Sequence, residues 1–508
     1  MTTITRLITA ATLLVLTSCS DRDSDQSDIG LRPFYAQTLQ WSACAAPARA
    51  DAQCATLRVP RDYADPRGVS WTIAVARLPT TGQGRRLGSI VTNPGGPGIS
   101  GVAELLASDH DFDRLRTRYD IVSFDPRGVG STEPALACLS PAQVTAIRNQ
   151  VSAPRTSAEQ PLAFDLGNDH ALACERAFGE SLNLLGTRDV ARDMDVLRAV
   201  LGEDQLDYFG FSYGTYLGAV YAELFPGRTD RVVLDSAMNP ANSYERLRHD
   251  QALAQQASIE RFVADCPAHA DCPLAADVPT ALEQIATVVH ALDAEPFVGA
   301  DDRVLSGSRL LQFVESSMYT PESGWPRLRL ALGSALAGDL PALLEAAYGE
   351  GQLVNPADSP YLAVMCHDLQ VGRDPSVIPG YAAAWAQDAP LTGAGRAWSV
   401  LPCIEWRAKS DVAPAAIAAR GSGDILVVGV TGDPATPVDW ARDLARALAH
   451  GRLLGWQGDG HIAYGRGGAC VDNAIEGYIL DGVLPPDGTR CESAWGPAID
   501  RRRKMPPA

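Results

Sequence analysis

Ser212 is the residue best placed to do chemistry in this chain. It stands in Gly210-Phe211-Ser212-Tyr213-Gly214, after the short aromatic and apolar run Leu206–Phe211 and before a segment carrying Leu217, Val220, Tyr221 and Leu224 at helical spacing. That pattern predicts a strand, a sharp turn and a helix. A strained turn of this kind lifts a serine hydroxyl to the end of a helix, where it can act as a nucleophile, and it needs glycines where the strand and helix backbones crowd together. By itself the motif also fits a plain turn. Two further residues change the balance: Asp433, in Gly432-Asp433-Pro434-Ala435-Thr436-Pro437 after the apolar run Ile425–Val428, and His461, in Gly458-Asp459-Gly460-His461 after Arg452–Trp456.

Serine, acid and histidine in this chain order, each at the end of a strand-like run, predict a nucleophile, an orienting carboxylate and a general base. Alone, Asp433 could be a turn residue before proline and His461 a surface histidine. Of the other histidines, His110, His170, His249, His269, His290 and His367 precede Asp433, and His450 ends an amphipathic stretch. His461 would take the Ser212 proton and return it to the leaving group, while Asp433 fixes the imidazole tautomer. This chemistry calls for no metal or organic cofactor. A tetrahedral intermediate also needs hydrogen-bond donors, and a second glycine-rich loop, Asn93-Pro94-Gly95-Gly96-Pro97-Gly98, follows the strand-like Ser89–Thr92. Pro97 has no N–H, so Gly96 is the expected donor, paired with the N–H of Tyr213.

Together with Asp125-Pro126-Arg127-Gly128-Val129-Gly130-Ser131, these motifs resemble those of the tripeptidyl-aminopeptidase-like serine peptidases, relatives of the proline iminopeptidases. The resemblance spans about residues 55 to 495. It implies an α/β-hydrolase core split by a helical cap, and release of single residues or short peptides from a free N-terminus. Iminopeptidases usually carry histidine where this chain has Asn93.

The elements that must position these residues follow an α/β pattern. From about residue 70, strand-like runs such as Trp71–Ala76, Ile121–Phe124 and Val232–Leu234 alternate with helical ones. Such alternation predicts a mostly parallel sheet with helices on both faces. Val190, Met194, Leu197 and Leu201 line one face of a helix that Thr187 could cap. Residues 241–395 are mostly helical by periodicity, broken by Pro267, Pro273, Pro296, Pro321 and Pro356, and read as an inserted cap. The core is expected in two parts, 55–240 and 396–495, with a tail at 496–508.

At 508 residues with 46% hydrophobic and 20% charged residues, the composition is that of a globular chain large enough for one core and an insertion. A net charge of −18 argues against nucleic acid as a partner. Arg6, the apolar stretch Leu7–Leu16 and then Leu16-Thr17-Ser18-Cys19 predict a bacterial lipoprotein signal, with residues 1–19 ending at a lipidated Cys19. The stretch is too short to span a bilayer comfortably, so membrane contact is expected only through the lipid. Residues 20–54 would form a tether and N-terminal segment. Without Cys19, ten of the eleven cysteines remain, which suits disulfides in an oxidising compartment of the cell envelope. Sequence leaves the connectivity open; nearest-neighbour pairing gives Cys44 with Cys54, Cys138 with Cys174, Cys266 with Cys272, Cys366 with Cys403, and Cys470 with Cys491. The spacings do not suit a zinc site.

An exopeptidase must also hold the substrate's terminal ammonium, and a partly desolvated carboxylate is its natural partner. Asp368 and Glu405 each lie two residues after a cysteine, and a Cys366–Cys403 bridge would bring them close together, so both are expected to bind substrate. A carboxylesterase or lipase would use the same triad; an apolar cleft would favour that reading. Epoxide hydrolases and dehalogenases place aspartate where Ser212 stands.

Overall fold

A computed structural model describes residues 30–45, 49–108, 112–148, 153–154, 156–349, 359–410 and 412–492. The expected signal segment, Cys19 and the C-terminal tail lie outside the described residues. Twelve strands are described: β1 Ser42–Ala43, β2 Gln53–Pro60, β3 Ser70–Leu78, β4 Gly88–Asn93, β5 Tyr119–Phe124, β6 Leu206–Phe211, β7 Thr229–Asp235, β8 Phe297–Val298, β9 Val304–Leu305, β10 Ile425–Gly432, β11 Gly451–Asp459 and β12 Thr489–Glu492. Ten of them form one sheet in the order β1-β2-β3-β5-β4-β6-β7-β10-β11-β12. From β5 to β12 every neighbouring pair is parallel, while β1, β2 and β3 add an antiparallel edge. This is the α/β-hydrolase fold.

The central strands read as unbroken apolar runs because both faces are covered. Successive side chains point to opposite faces, so Val91, Val122, Tyr208, Val232 and Val427 enter one core while Ile90, Ile121, Phe209, Val233 and Leu426 enter the other. The chain crosses over between β4 and β5, leaving the C-terminal ends of β4 and β6 side by side. In such sheets the crevice beyond the strand ends is where ligands bind.

Between β7 and β10 the chain leaves the sheet for a helical insertion. Its first part has a core of its own, with Ile259, Phe262, Ile285, Leu310, Trp325 and Leu328 buried together. Its later helices, Ser359–Asp368, Gly393–Trp398 and Leu401–Glu405, bury Leu362, Trp398, Leu401 and Ile404 in the sheet's own core. After these helices the next strand of the sheet begins at Ile425. Thr187 also departs from its expected capping role: it is the first residue of the helix Thr187–Val200, whose N-cap is Gly186. Among the described residues no helix is long and apolar enough to cross a membrane. All five nearest-neighbour disulfides are formed, with Cα–Cα distances of 4.5–5.6 Å.

Candidate active site

β6 ends at Phe211, and the helix Tyr213–Leu224 follows after the single residue Ser212, its N-cap, at φ 55°. Positive φ in a residue with a Cβ is strained, and it turns the side chain out of the sheet. The turn is held from below: Ser212 N–H donates to the Asp235 carbonyl at 3.0 Å, and Thr215 N–H and Oγ1–H both return to the Ser212 carbonyl, at 2.9 and 2.5 Å. A Cβ on Gly214 would overlap the Asn93 carbonyl oxygen, so the glycine lets the nucleophile helix lie against the end of β4.

Asp433 and His461 meet because β10 and β11 run in parallel with Gly432 opposite Asp459. His461 Nδ1 lies 3.0 and 2.9 Å from the two carboxylate oxygens of Asp433. With that nitrogen donating, Nε2 is left as the ring's acceptor. Asp433 is 2% exposed and accepts from Ala435 N–H at 2.8 Å, Thr436 N–H at 2.9 Å and Thr436 Oγ1–H at 2.8 Å. Burial alone would raise its pKa, but His461 and the backbone donors outweigh it and hold the carboxyl below its ordinary range.

The histidine loop is tied to the neighbouring strand. Ile462 N–H donates to Ser236 Oγ at 2.8 Å, and the Asp235 carboxylate accepts from Ala463 N–H at 3.1 Å and Tyr464 N–H at 2.8 Å. His461 N–H donates to the Tyr319 carbonyl at 2.8 Å, and the Tyr319 ring meets the imidazole edge-on at 5.2 Å. Asp235 is fully buried, and desolvation pushes its pKa up to about 6 despite the two N–H donors.

β4 pairs with β6 so that Asn93 faces Gly210, which carries the glycine-rich loop to the nucleophile. Asn93 is buried, and its Oδ1 accepts Gly95 N–H at 3.0 Å, shaping the first turn of the loop. Gly95 sits so close that a Cβ there would lie 2.9 Å from Ser212 Cβ and 3.0 Å from Tyr213 N. Beyond it, Gly96 lines the same cavity as Ser212 and His461. Tyr213 N–H is the first of its helix, where no helical carbonyl can receive it. The far end of the loop is anchored by Asp125, whose Oδ1 accepts Ser100 Oγ–H at 2.6 Å and Val102 N–H at 3.0 Å.

The cavity has a volume of about 1520 Å³ and is roofed by the helical insertion. Among its walls are Phe211, Leu362, Trp398 and Tyr464, three carboxylates (Glu104, Glu159 and Glu315) and five arginines, of which Arg248 and Arg396 come from different helices of the insertion. Ser212, His461, an apolar lining and a set of charged side chains thus share one cavity.

The whole-chain comparisons agree with this geometry. The chain is 32% identical to serine protease Hip1 of Mycobacterium tuberculosis, covering 95% of this chain and 96% of that protein. It is 30% identical to tripeptidyl aminopeptidase of Streptomyces coelicolor, covering 93% and 89%. The chain belongs to the tripeptidyl-aminopeptidase-like serine hydrolases. Within it, residues 389–491 match the family described as TAP-like protein. Another relative is carboxylesterase B of Mycobacterium tuberculosis, 36% identical over 90% of this chain and 91% of that one. This family member is therefore a serine hydrolase with peptidases among its relatives.

The two acids expected to read the substrate are placed elsewhere. Asp368 is 6% exposed and does not line the cavity; Oδ2 accepts Thr187 N–H at 2.8 Å and Oδ1 lies 2.7 Å from His367 Nδ1. It closes the N-terminus of the helix Thr187–Val200, so its charge is spent inside the fold. Glu405, half-buried at the end of a short helix, is also outside the cavity wall. The disulfide forms as the pairing suggested, but neither acid lines the cavity that holds Ser212. Reading the sequence missed Thr436 and Asp235. A threonine three residues after Asp433 in an Asp-Pro turn was a local signal for the first; the second carried none beyond its place at a strand end.

Proposed function

We propose that this serine hydrolase is an exported exopeptidase that cleaves short peptides near a free N-terminus. Ser212 Oγ attacks the scissile carbonyl, His461 Nε2 takes its proton and later delivers it to the leaving amine, and Asp433 stabilises the imidazolium between these steps. The N–H groups of Gly96 and Tyr213 receive the oxyanion, each worth roughly 3 to 4 kcal/mol of barrier. The observation that supports the hydrolytic chemistry is the His461 Nδ1–Asp433 contact, at 2.9 and 3.0 Å, in a loop that shares its cavity with Ser212, and the relatives named serine protease and tripeptidyl aminopeptidase favour a peptide as substrate. Of the three carboxylates that line the cavity, Glu104, Glu159 and Glu315, the last is paired with Arg396.

Export is supported by the lipoprotein-like segment ending at Cys19 and by five disulfides, which persist in oxidising compartments. Changing Cys19 to Ser should release the protein from the membrane fraction, whereas mass spectrometry of an unmodified mature N-terminus would count against anchoring.

A panel of tripeptide anilides with free and acetylated amines, beside simple nitrophenyl esters, tests the activity. Free-amine peptides should be cleaved at least tenfold faster than blocked ones, about the worth of one charge-assisted hydrogen bond. Ser212→Ala should abolish both cleavage and fluorophosphonate labelling. Ester hydrolysis is the second reading, favoured by the relative named carboxylesterase B; turnover of esters with no cleavage of any peptide would establish it.

A further inference from the structure

Arg248 belongs to the first helix of the insertion, Tyr244–Asp265, and is 3% exposed, yet it forms part of the cavity wall. Its guanidinium is held by neutral acceptors: Nε donates to Ser399 Oγ at 2.8 Å and Nη1 to Gln251 Oε1 at 2.9 Å. Nη2 has no partner among the described residues. Gln251 continues the chain of contacts, donating Nε2–H to the Ala435 carbonyl at 3.0 Å, two residues beyond Asp433. Arg248 is thus joined to the acid loop by two hydrogen bonds.

The carboxylate whose charge acts on Arg248 is Glu315, and Glu315 already pairs with Arg396 Nη2 at 2.6 Å. Arg396 also lines the cavity, and its buried Nε has no hydrogen-bond partner. The phenols of Tyr244 and Tyr319 nearby are pushed upward by burial and stay neutral. Arg248 and Arg396 against Glu315 leave these three residues with one positive charge, and the remaining arginines of the wall, Arg309, Arg327 and Arg466, do not lower it. A buried, uncompensated guanidinium is destabilising, and its planar fork is matched by a carboxylate.

We propose that Arg248 anchors a carboxylate-binding subsite, so that the preferred peptide substrate carries a carboxylate reaching the corner between the Asp433 loop and Arg396. This rests on the peptidase reading above for the nature of the substrate, but not for the charge it requires. The carboxylate could be the C-terminus of a short peptide or an acidic side chain near the scissile bond. Nothing in the local sequence marked the subsite, because Arg248, Glu315 and Arg396 come from three helices far apart in the chain.

The test is binding to the Ser212→Ala protein, by calorimetry, of tetra-alanine as free acid, its C-terminal amide, and an amide bearing one glutamate. At least one carboxylate peptide should bind about 10- to 100-fold tighter than the neutral amide. The arm that does so identifies the source of the carboxylate. Arg248→Met should bring that preference to within about twofold, and Arg248→Lys, which keeps the charge but loses the fork, should leave part of it. If the Met variant does not fold, a reduced preference in Arg248→Lys is the required result. Equal binding of all three peptides, or a preference unchanged in the variants, overturns the subsite. Should no peptide bind, the peptidase reading fails separately. The subsite is then read on the active enzyme as faster hydrolysis of 4-nitrophenyl hemisuccinate than of its methyl ester, lost on changing Arg248; equal rates overturn it.

Discussion

The backbone carbonyl of Asp235 accepts the N–H of Ser212 at 3.0 Å. The carboxylate of the same residue accepts N–H groups of Ala463 and Tyr464, so the end of β7 fixes the nucleophile with one group and the histidine loop with another. Two catalytic loops separated by some 250 residues of chain are thereby referred to one rigid strand end, which is what a reaction geometry held to a fraction of an ångström needs.

Asp235 should also leave a mark on stability against pH. Burial raises its pKa from 3.8 to about 6, so at intermediate pH the folded chain keeps a proton that the unfolded chain has lost. Its contribution is then full below about pH 4 and lost as pH rises through about 6, amounting to about 3 kcal/mol. In urea titrations the stability of the parent relative to Asp235→Asn should fall by that amount from acid to neutral pH. Parallel pH profiles for the two proteins would remove Asp235 as the source.

Asp368 should behave as a helix cap and not as a substrate ligand. Asp368→Ala strips the acceptor from Thr187 N–H and should lower stability by about 1 to 2 kcal/mol. The ratio of free-amine to blocked-peptide cleavage should not move. A fall in that ratio at unchanged melting temperature would return Asp368 to the substrate.

The contrast between these residues explains what was legible. Ser212, Asp433, His461 and Gly96 each sit in a short motif at a strand end, where turn chemistry and periodicity are local properties of the sequence. The alternation of strands and helices exposed the fold in the same way. Asp368 misled because its surroundings are set by the helix Thr187–Val200, distant in the chain and adjacent only after folding. The strand expected from about residue 396 begins only at Ile425, because the chain first forms helices that bury Trp398, Leu401 and Ile404 in the sheet's own core, and apolar periodicity does not tell a core helix from a core strand over so short a run.

The Cys366–Cys403 bridge closes a loop of 37 residues and ties a helix of the insertion to the chain leading back to the sheet. Lys409 Nζ reinforces it, donating to the Cys366 and Cys403 carbonyls at 3.1 and 2.7 Å. Replacing both cysteines with alanine should lower stability by about 3 to 4 kcal/mol on the loop-entropy account. Calorimetry under non-reducing conditions reads this directly. A melting temperature equal to the parent's would mean that packing alone holds the junction.

Thr436 supplies the sharpest test of how the triad is tuned. Its Oγ1 lies 2.8 Å from Asp433 Oδ2 and 3.4 Å from His461 Nδ1, so the hydroxyl can donate to the carboxylate beside the imidazole. Thr436→Val keeps the shape and removes the donor. A hydrogen bond to a charged group is worth about 1.5 to 3 kcal/mol, so kcat should fall about 10- to 100-fold with KM little changed. The pH profile separates this from simple misfolding. Donors to Asp433 favour its ionised form, so losing one raises its pKa, and activity should be lost on acidification from a higher pH than in the parent. Thr436→Ser, which retains the hydroxyl, should restore both rate and profile. If the valine variant keeps the parental kcat and acid limb, the hydroxyl is packing and the three backbone and imidazole contacts suffice to hold Asp433.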